Sequence, residues 1–117
     1  MARGIDIGEY IAAGIKATGI RSRVISNNIA NLSRSGFRRS DVQFDELLAK
    51  ALEGAEAPEL EKFVYQPKRW PINERGNDVD LDTEIGEMMK NSAKARVYLR
   101  TLVKVYDRME LAMSDRA

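Results

Sequence analysis

Four acidic residues at alternate positions, Asp78, Asp80, Asp82 and Glu84, form the group in this chain that most resembles a chemical site. Carboxylates at this spacing open the calcium loop of EF-hand proteins. That loop needs a glycine after the third acid, whereas here Thr83 and Glu84 continue towards a helix. Acids at the start of a helix lie where the positive end of the helix dipole favours them. We therefore interpret the four acids as helix-capping residues and predict no metal site.

The chain of 117 residues contains neither cysteine nor histidine. Their absence excludes thiolate nucleophiles, disulfides, Cys/His zinc sites and histidine-based triads. An enzyme that uses carboxylates alone, such as a glycoside hydrolase with two acids, is the remaining catalytic alternative. The sequence has no glycine-rich phosphate loop and no metal-ligand spacing, so we expect a protein that is not an enzyme and that needs no cofactor.

Charge is distributed unevenly along the chain, although the formal net charge is only +1. Residues 1–40 carry 7 basic and 2 acidic side chains, whereas residues 41–117 carry 12 basic and 16 acidic side chains. The two parts should therefore attract each other. Apolar residues make up 44% of the chain, which is too little for a membrane protein and enough for a small folded domain.

Nucleic acid and membrane partners are not expected. The basic cluster Arg34, Arg38 and Arg39 is short, and Phe37 is the only aromatic residue interleaved with it. No uninterrupted apolar stretch of about 18 residues occurs, so no membrane span is predicted. The apolar residues near the N-terminus are interrupted by Asp6, Glu9 and Lys16. A cleavable secretory signal is therefore not predicted either.

The C-terminal third of the chain has a heptad pattern, in which apolar or small residues recur at alternating spacings of four and three. These positions are Leu81, Ile85, Met88, Ser92, Ala95, Leu99, Leu102, Tyr106, Met109 and Met113. The pattern predicts one helix over about residues 81–114. At 1.5 Å per residue it would be about 50 Å long, more than a small globular core can cover. Gly76 and Asn77 predict a turn before it, and the helix should start after Val79 and Asp80.

A second heptad pattern near the N-terminus predicts another long helix that ends before Gly36. Its positions are Ile11, Ile15, Thr18, Ser22, Ile25, Ile29 and Leu32. Thr18 and Ser22 interrupt the apolar row, and Gly8, Gly14 and Gly19 each cost about 1 kcal/mol relative to alanine inside a helix. We therefore expect this helix to be marginally stable until neighbouring helices complete its contacts.

The segment between these helices has a different composition and contains all three prolines of the chain, Pro58, Pro67 and Pro71. Residues 44–52 can form a short amphipathic helix that ends at Gly54, and residues 63–72 are strand-like but confined by proline to an edge or an extended loop. Trp70 is interpreted as part of this segment's own core, with an exposed anchor for a partner as the alternative.

The elements together predict a mainly all-α fold. Long N- and C-terminal helices should form an antiparallel coiled-coil-like pair, joined by a small irregular insert with some β structure. The predicted division is an N-terminal assembly helix in residues 1–36, an insert in residues 37–79 and a C-terminal assembly helix in residues 80–117. Two helices leave apolar surface uncovered, and copies of the same protein could cover it.

Three asparagines within five residues, Asn27, Asn28 and Asn31, stand in an otherwise apolar helical pattern. Asparagine side chains can bond to neighbouring helices and fix their register, as buried asparagine does in coiled coils. The alternative is a frayed helix end with capping asparagines. The sequence leaves both interpretations open.

Two motifs resemble those of the flagellar axial proteins, the family of rod, hook and hook-associated subunits. The first is Asn27-Asn28-Ile29-Ala30-Asn31, followed after four residues by Gly36-Phe37. The second runs from Gly76 to Glu84, with Met88 and Asn91-Ser92 beyond it, and is similar to the start of the C-terminal helix in proximal rod subunits. One departure is Arg34-Ser35 in place of the usual Thr-Pro before Gly-Phe. This loses a proline-set turn, although Gly36 can still supply a positive φ angle.

The resemblance implies a structural subunit of the bacterial flagellar basal body, in the periplasmic rod. It implies export by the flagellar type III apparatus without a cleavable signal, and partners among other rod subunits and basal-body ring or adaptor proteins. The subunit would self-associate through its terminal helices and transmit torque. A cytosolic coiled-coil adaptor or a flagellar export chaperone is the alternative, because either would share the heptad patterns without needing the two motifs.

Overall fold

The computed structural model describes residues 6–68 and 71–114, and Trp70, the predicted core residue of the insert, lies outside them. Two long helices are the main elements, α1 over Ile7–Ala30 and α4 over Leu81–Ser114. They lie antiparallel, since Asn28 near the end of α1 contacts Glu84 near the start of α4. The mainly helical fold with a long antiparallel pair is confirmed. Helix α1 ends two residues before Leu32, which lies in the turn that follows.

The insert between α1 and α4 is small and contains both helical and β structure. Strand β1 over Asp41–Val42 is followed by α2 over Phe44–Leu52, α3 over Ala57–Leu60, a 3-10 turn over Glu61–Phe63 and β2 over Val64–Tyr65. The two strands pair antiparallel, with Asp41 opposite Tyr65 and Val42 opposite Val64. Helix α2 has the predicted bounds. Gly54 follows it with a φ of 88°, which only glycine adopts without strain. In the part of residues 63–72 that the structure describes, the predicted strand is limited to Val64–Tyr65.

The buried apolar core lies between α1 and the insert. Ala17 and Ile20 of α1 pack there against Val42 of β1, Leu47 of α2 and Leu60 of α3. Because α1 uses this face for the insert and an adjacent face for α4, it buries residues outside its predicted heptad row as well as residues within it. This explains how a helix interrupted by three glycines and two hydroxyl residues is held in place.

The contact between α1 and α4 is partly polar. Asn91 of α4 donates a hydrogen bond from Nδ2 to the backbone oxygen of Thr18, 2.8 Å away, in a buried environment. Arg21 of α1 and Glu87 of α4 form an ion pair at 2.7 Å. The predicted interruption at Thr18 therefore corresponds to a polar contact that fixes how the two helices are aligned.

Tyr98 of α4 lies directly on Gly14 of α1. A Cβ atom built on Gly14 would lie 2.7 Å from Cδ1 of Tyr98 and closer still to two other ring atoms, so any larger residue would displace the ring. The ring also contacts Tyr10, with ring centroids 6.4 Å apart. Gly14 is thus required for close helix packing, whereas nothing lies within 4 Å of a Cβ built on Gly19.

The predicted heptad row of α4 divides into two parts in the structure. Met88, Ala95 and Leu102 are partly buried. A second group, Leu81, Ile85, Leu99 and Tyr106, is exposed; together with the exposed Val103, which is not part of the predicted row, we call it the outer row. The exposed fraction is 49% for Leu99 and 60% for Tyr106, and Met109 beyond them is 54% exposed. Much of the apolar surface of α4 is therefore uncovered in the single chain.

Candidate functional site

The two sequence motifs lie far apart in the chain but meet at one corner of the fold, where α1 ends and α4 begins. Gly36 donates a backbone hydrogen bond to the oxygen of Arg75 at 2.8 Å. Gly36 and Gly76 have φ angles of 77° and 76°. A Cβ on Gly76 would lie 3.5 Å from Cα of Gly36, so the two turns approach closely. The predicted positive φ at Gly36 is confirmed, although Arg34-Ser35 replaces the usual turn residues.

Asn77 holds the turn that directly follows α1. Its Nδ2 atom donates hydrogen bonds to the backbone oxygens of Asn31, Leu32 and Arg34 at 2.9, 3.1 and 2.8 Å. Its Oδ1 atom accepts a hydrogen bond from the amide of Val79 at 2.7 Å. Asn31, Leu32 and Arg34 lie directly after α1, which ends at Ala30. A side chain from the second motif therefore binds backbone oxygens of the segment between Asn31 and Gly36, and Asn77 is buried in doing so.

Asn28 joins three elements of the corner. Its Nδ2 atom donates to the backbone oxygen of Ser40 at 2.8 Å and to Oε2 of Glu84 at 3.2 Å. Its Oδ1 atom accepts from the amide of Ser40 at 2.9 Å. Since Asn28 is fully buried, each of these bonds replaces one that water would otherwise make. This is the register-fixing role that was one of the two interpretations of the asparagines.

The other two asparagines of the first motif act locally. Asn31 donates from Nδ2 to the backbone oxygen of Asn27 at 2.7 Å and lies at the exposed end of α1. Asn27 and Ala30 are exposed, and Ile29 and Phe37 are partly buried. The capping interpretation therefore holds for Asn31, so both interpretations apply to different residues of one motif.

A buried ion pair lies at the centre of the corner. Nε of Arg39 is 2.6 Å from Oε1 of Glu84, and both side chains are almost fully buried. The backbone amide of Arg39 also donates to Oδ1 of Asp78 at 2.5 Å, and Asp78 pairs with Arg38 at 3.1 Å. Burial lowers the pKa of Arg39, but the hydrogen bond to Glu84 and the charges of Glu84, Asp41 and Asp78 outweigh it, so the pKa is raised above its usual value. The arginine stays charged.

Two of the four acids interpreted as helix caps have this different role. Asp78 and Glu84 bind arginines of the first motif, while Asp80 directly precedes α4 and accepts a hydrogen bond from the hydroxyl of Thr83 at 2.6 Å. The interpretation as caps is therefore wrong for Asp78 and Glu84. The sequence signal for their role was the opposite charge of the two parts of the chain. The attraction predicted from it is confirmed by these ion pairs and by Arg21–Glu87.

The hydrogen bonds and ion pairs of the polar corner hold the end of α1 and the start of α4 in a fixed position relative to each other. Within the described residues, no three acidic side chains converge in a way that could bind a metal ion. In the same part of the chain, no helix is long and apolar enough to cross a membrane. Arg38 and Arg39, which belong to the predicted basic cluster, are engaged by acids of the second motif.

Replacement of Asn28 by alanine should lower the free energy of unfolding by about 2 kcal/mol, because buried groups of Ser40 and Glu84 lose their partner. Chemical denaturation monitored by circular dichroism would measure it. Asn27→Ala, one residue earlier and exposed, is the matched control and should change stability by less than about 0.5 kcal/mol. Equal effects of the two substitutions would contradict the assignment of Asn28 as the joining residue.

Near the N-terminal end of α1, α1 and α4 border an open groove of about 580 Å³. It is lined by Gly8, Ala12 and Ile15 of α1 and by Leu102, Tyr106 and Met109 of α4, among others. Small residues on one helix and large apolar residues on the other leave room for a further helix to pack. The groove adjoins the outer row of α4, since Tyr106 belongs to both.

Comparison with known proteins finds one relevant similarity and no matching protein family. The chain is 27% identical, over an alignment of 93 residues, to the flagellar basal body rod protein FlgB of Borreliella burgdorferi strain B31. The alignment covers 62% of this chain and 69% of that protein. The chain is therefore similar to a flagellar rod protein, and this is the kind of protein that its two motifs indicate.

Proposed function

We propose that the chain is a structural subunit of the proximal rod in the bacterial flagellar basal body. The observation that carries the proposal is the meeting of the two motifs in one buried polar corner. Asn28 of the first motif binds Glu84 of the second, and Asn77 of the second binds the backbone oxygen of Asn31 of the first. The similarity to FlgB supports the same function independently of the geometry.

The structure suits a subunit that carries mechanical load. A corner fixed by buried hydrogen bonds and an ion pair has a single geometry, because shifting the register of the helices would leave several polar groups without partners. The outer row of α4 and the groove beside it are left for other helices. We propose that copies of the chain and other rod subunits occupy them, and that the assembled rod transmits torque.

The remaining parts of the proposal follow from the same function. The chain acts without catalytic activity or cofactor and is exported by the flagellar type III apparatus without removal of a signal peptide. It then resides in the periplasmic rod, next to other rod subunits and to ring or adaptor proteins of the basal body. Mass spectrometry of the protein from purified basal bodies should find its N-terminal residues intact; a chain shortened by signal peptidase would contradict this route.

Deletion of the gene should abolish swimming and stop rod assembly. Swimming on soft agar and electron microscopy of isolated basal bodies would measure both. A copy with a tag in the insert, after Gly54, would show whether the protein lies in the proximal rod. Complete rods in the deletion strain, or a tag found only in the cytosol, would contradict the proposal and favour the adaptor or export-chaperone alternative.

Replacement of Leu99 by aspartate should prevent incorporation into the rod without unfolding the chain. Leu99 is half exposed, so the monomer should lose less than about 0.5 kcal/mol of stability, whereas a buried contact with a neighbouring subunit would be lost in the assembly. Fractionation of basal bodies and thermal unfolding of the purified chain would separate the two effects. Leu99→Met keeps an apolar side chain and should assemble normally. Normal incorporation of Leu99→Asp would mean that the outer row faces solvent in the rod.

A further inference from the structure

The solvent-facing side of α4 carries a row of cations that the contacts described so far do not use. Residues 88–106 contain five basic residues and no acidic residue. Three of them, Arg96, Arg100 and Lys104, follow one another at spacings of four residues, and we call them the basic row. All three are exposed. Like charges four residues apart on a helix repel each other, so an anionic partner would stabilise this arrangement.

The other two cations of this stretch already have partners within the chain. Lys90 pairs with Glu87 one helical turn earlier at 3.6 Å, and Lys94 lies over the ring of Phe44 at 4.0 Å from the ring centroid. Within the described residues, no ion pair involves the basic row. It borders the outer row, since Arg96 and Arg100 flank Leu99 along the helix. Charged and apolar exposed surface is therefore continuous along α4.

The insert carries the opposite charge on its exposed surface. Residues 43–61 contain six acidic residues and one basic residue. The acids, which we call the acidic surface of the insert, are Asp45, Glu46, Glu53, Glu56, Glu59 and Glu61, and all are exposed. Those that form ion pairs within the chain do so at its surface, Glu53 with Lys50, Glu56 with Lys16 and Glu61 with Arg23. Such exposed pairs hold their partners weakly and are readily exchanged.

The two charged surfaces do not meet within one chain. The insert packs mainly on α1, and its surface ion pairs join it to α1 or join Lys50 of α2 to Glu53 directly after that helix. We propose that the basic row of α4 docks on the acidic surface of the insert of a second copy of the chain. The proposal rests on the proposed function, because it names a specific contact between subunits of the assembly.

In a rod this contact is head-to-tail, so that each chain presents its basic row to one neighbour and its acidic surface to the other. Contacts of this kind leave one free surface of each type at the ends, so they continue into rings or helical assemblies rather than stopping at a closed dimer. The charge also acts before contact: complementary surfaces accelerate encounter and select the correct orientation. The apolar outer row alone would not select a particular neighbouring subunit or a particular orientation of that subunit. The basic row and the acidic surface therefore determine which part of the neighbour α4 meets.

A charge-exchange experiment with the full chain tests the proposal. One variant is Arg96→Glu with Arg100→Glu, and the other is Glu53→Lys with Glu59→Lys. All four sites are exposed, so circular dichroism should show unchanged helicity for both variants. A control with the same change of net charge as the first variant, Lys68→Glu with Arg75→Glu, alters exposed residues outside both surfaces.

Self-association would be measured by sedimentation velocity. For the parent chain it should weaken roughly tenfold between about 0.05 M and about 0.5 M salt, because salt screens exposed charges. Each variant alone should associate roughly tenfold more weakly than the parent at low salt, since like charges then face each other. An equal mixture of the two variants should recover the parent's association. The reversed row of the first variant then meets the reversed insert surface of the second, so opposite charges face each other again. The control should behave like the parent.

Three results would overturn the proposal. The first is association of the Arg96→Glu, Arg100→Glu chain at the parent's strength, and the second is failure of the mixture to recover. The third is salt-sensitive binding of the parent to vesicles of anionic lipid through the same arginines, without salt-sensitive self-association; this would assign the basic row to a membrane surface. Loss of rod assembly in Leu99→Asp but not in the charge variants would refute this contact and leave the proposed function standing.

Discussion

Replacement of Glu84 by leucine should lower the free energy of unfolding by about 3 to 5 kcal/mol, because it leaves the charge of Arg39 buried without its closest partner. The side chain of Arg39 is only 3% exposed and cannot reach water without opening the corner. Asn28 would lose a partner at the same time. Urea denaturation of the purified chain, followed by circular dichroism, would measure the change.

The control for this prediction removes both charges. In the double variant Arg39→Met, Glu84→Leu no charge is left buried alone, so much of the lost stability should return, as happens when buried ion pairs elsewhere are replaced by apolar residues. The double variant would still lack the hydrogen bond from Asn28 to Glu84. If Glu84→Leu alone were as stable as the parent, the corner would be open to water in solution and would not fix the helix ends.

Replacement of Gly14 by alanine should destabilise the chain by about 1 to 3 kcal/mol, although alanine is the better helix former, because the new methyl group overlaps the ring of Tyr98. Gly19→Ala in the same helix is the matched control. It meets no atom within 4 Å and should stabilise the chain by about 1 kcal/mol. The two substitutions should therefore differ by about 3 kcal/mol in the free energy of unfolding.

A double-mutant cycle would show whether Tyr98 is the cause. In a Tyr98→Ala background the ring is absent, so Gly14→Ala should no longer destabilise the chain and should approach the effect of Gly19→Ala. Thermal unfolding of the four chains would suffice. An unchanged cost of Gly14→Ala without the tyrosine would show that the helix backbone, and not the contact with α4, requires glycine at this position.

The helical elements could be predicted because their signals are local. The spacing of apolar residues, the turn glycines and the prolines predicted α2 and α4 within a residue of their bounds. In the same way, Gly36 was predicted to have a positive φ because that property depends on few neighbours. The heptad row of α1 was extended to Leu32, two residues past the end of the helix, where the backbone oxygen of Leu32 binds the distant Asn77.

The sequence predicted two separate motifs, and it could not show that they form one site. Asn28, Gly36, Asn77 and the start of α4 were each identified from the sequence, yet nothing in the spacing showed that Asn77 binds the turn after α1 or that Asn28 binds Glu84. Asp78 and Glu84 were interpreted as capping residues because an acid near a helix start has a sufficient local explanation. The arginines that bind them lie about 40 residues earlier, where only the charge imbalance pointed to them.

The sequence by itself determined the helical fold class, the two long helices, the position of the insert and the residue types available for function. Heptad spacing, charge and the absence of cysteine and histidine are properties of the chain that hold before it folds. The tertiary structure alone decided which part of the α4 heptad row faces α1, which glycine must remain a glycine, and which acids are buried against arginines. These depend on which surfaces meet, and a helix with apolar residues on more than one side does not specify by its own sequence which side its partner will cover.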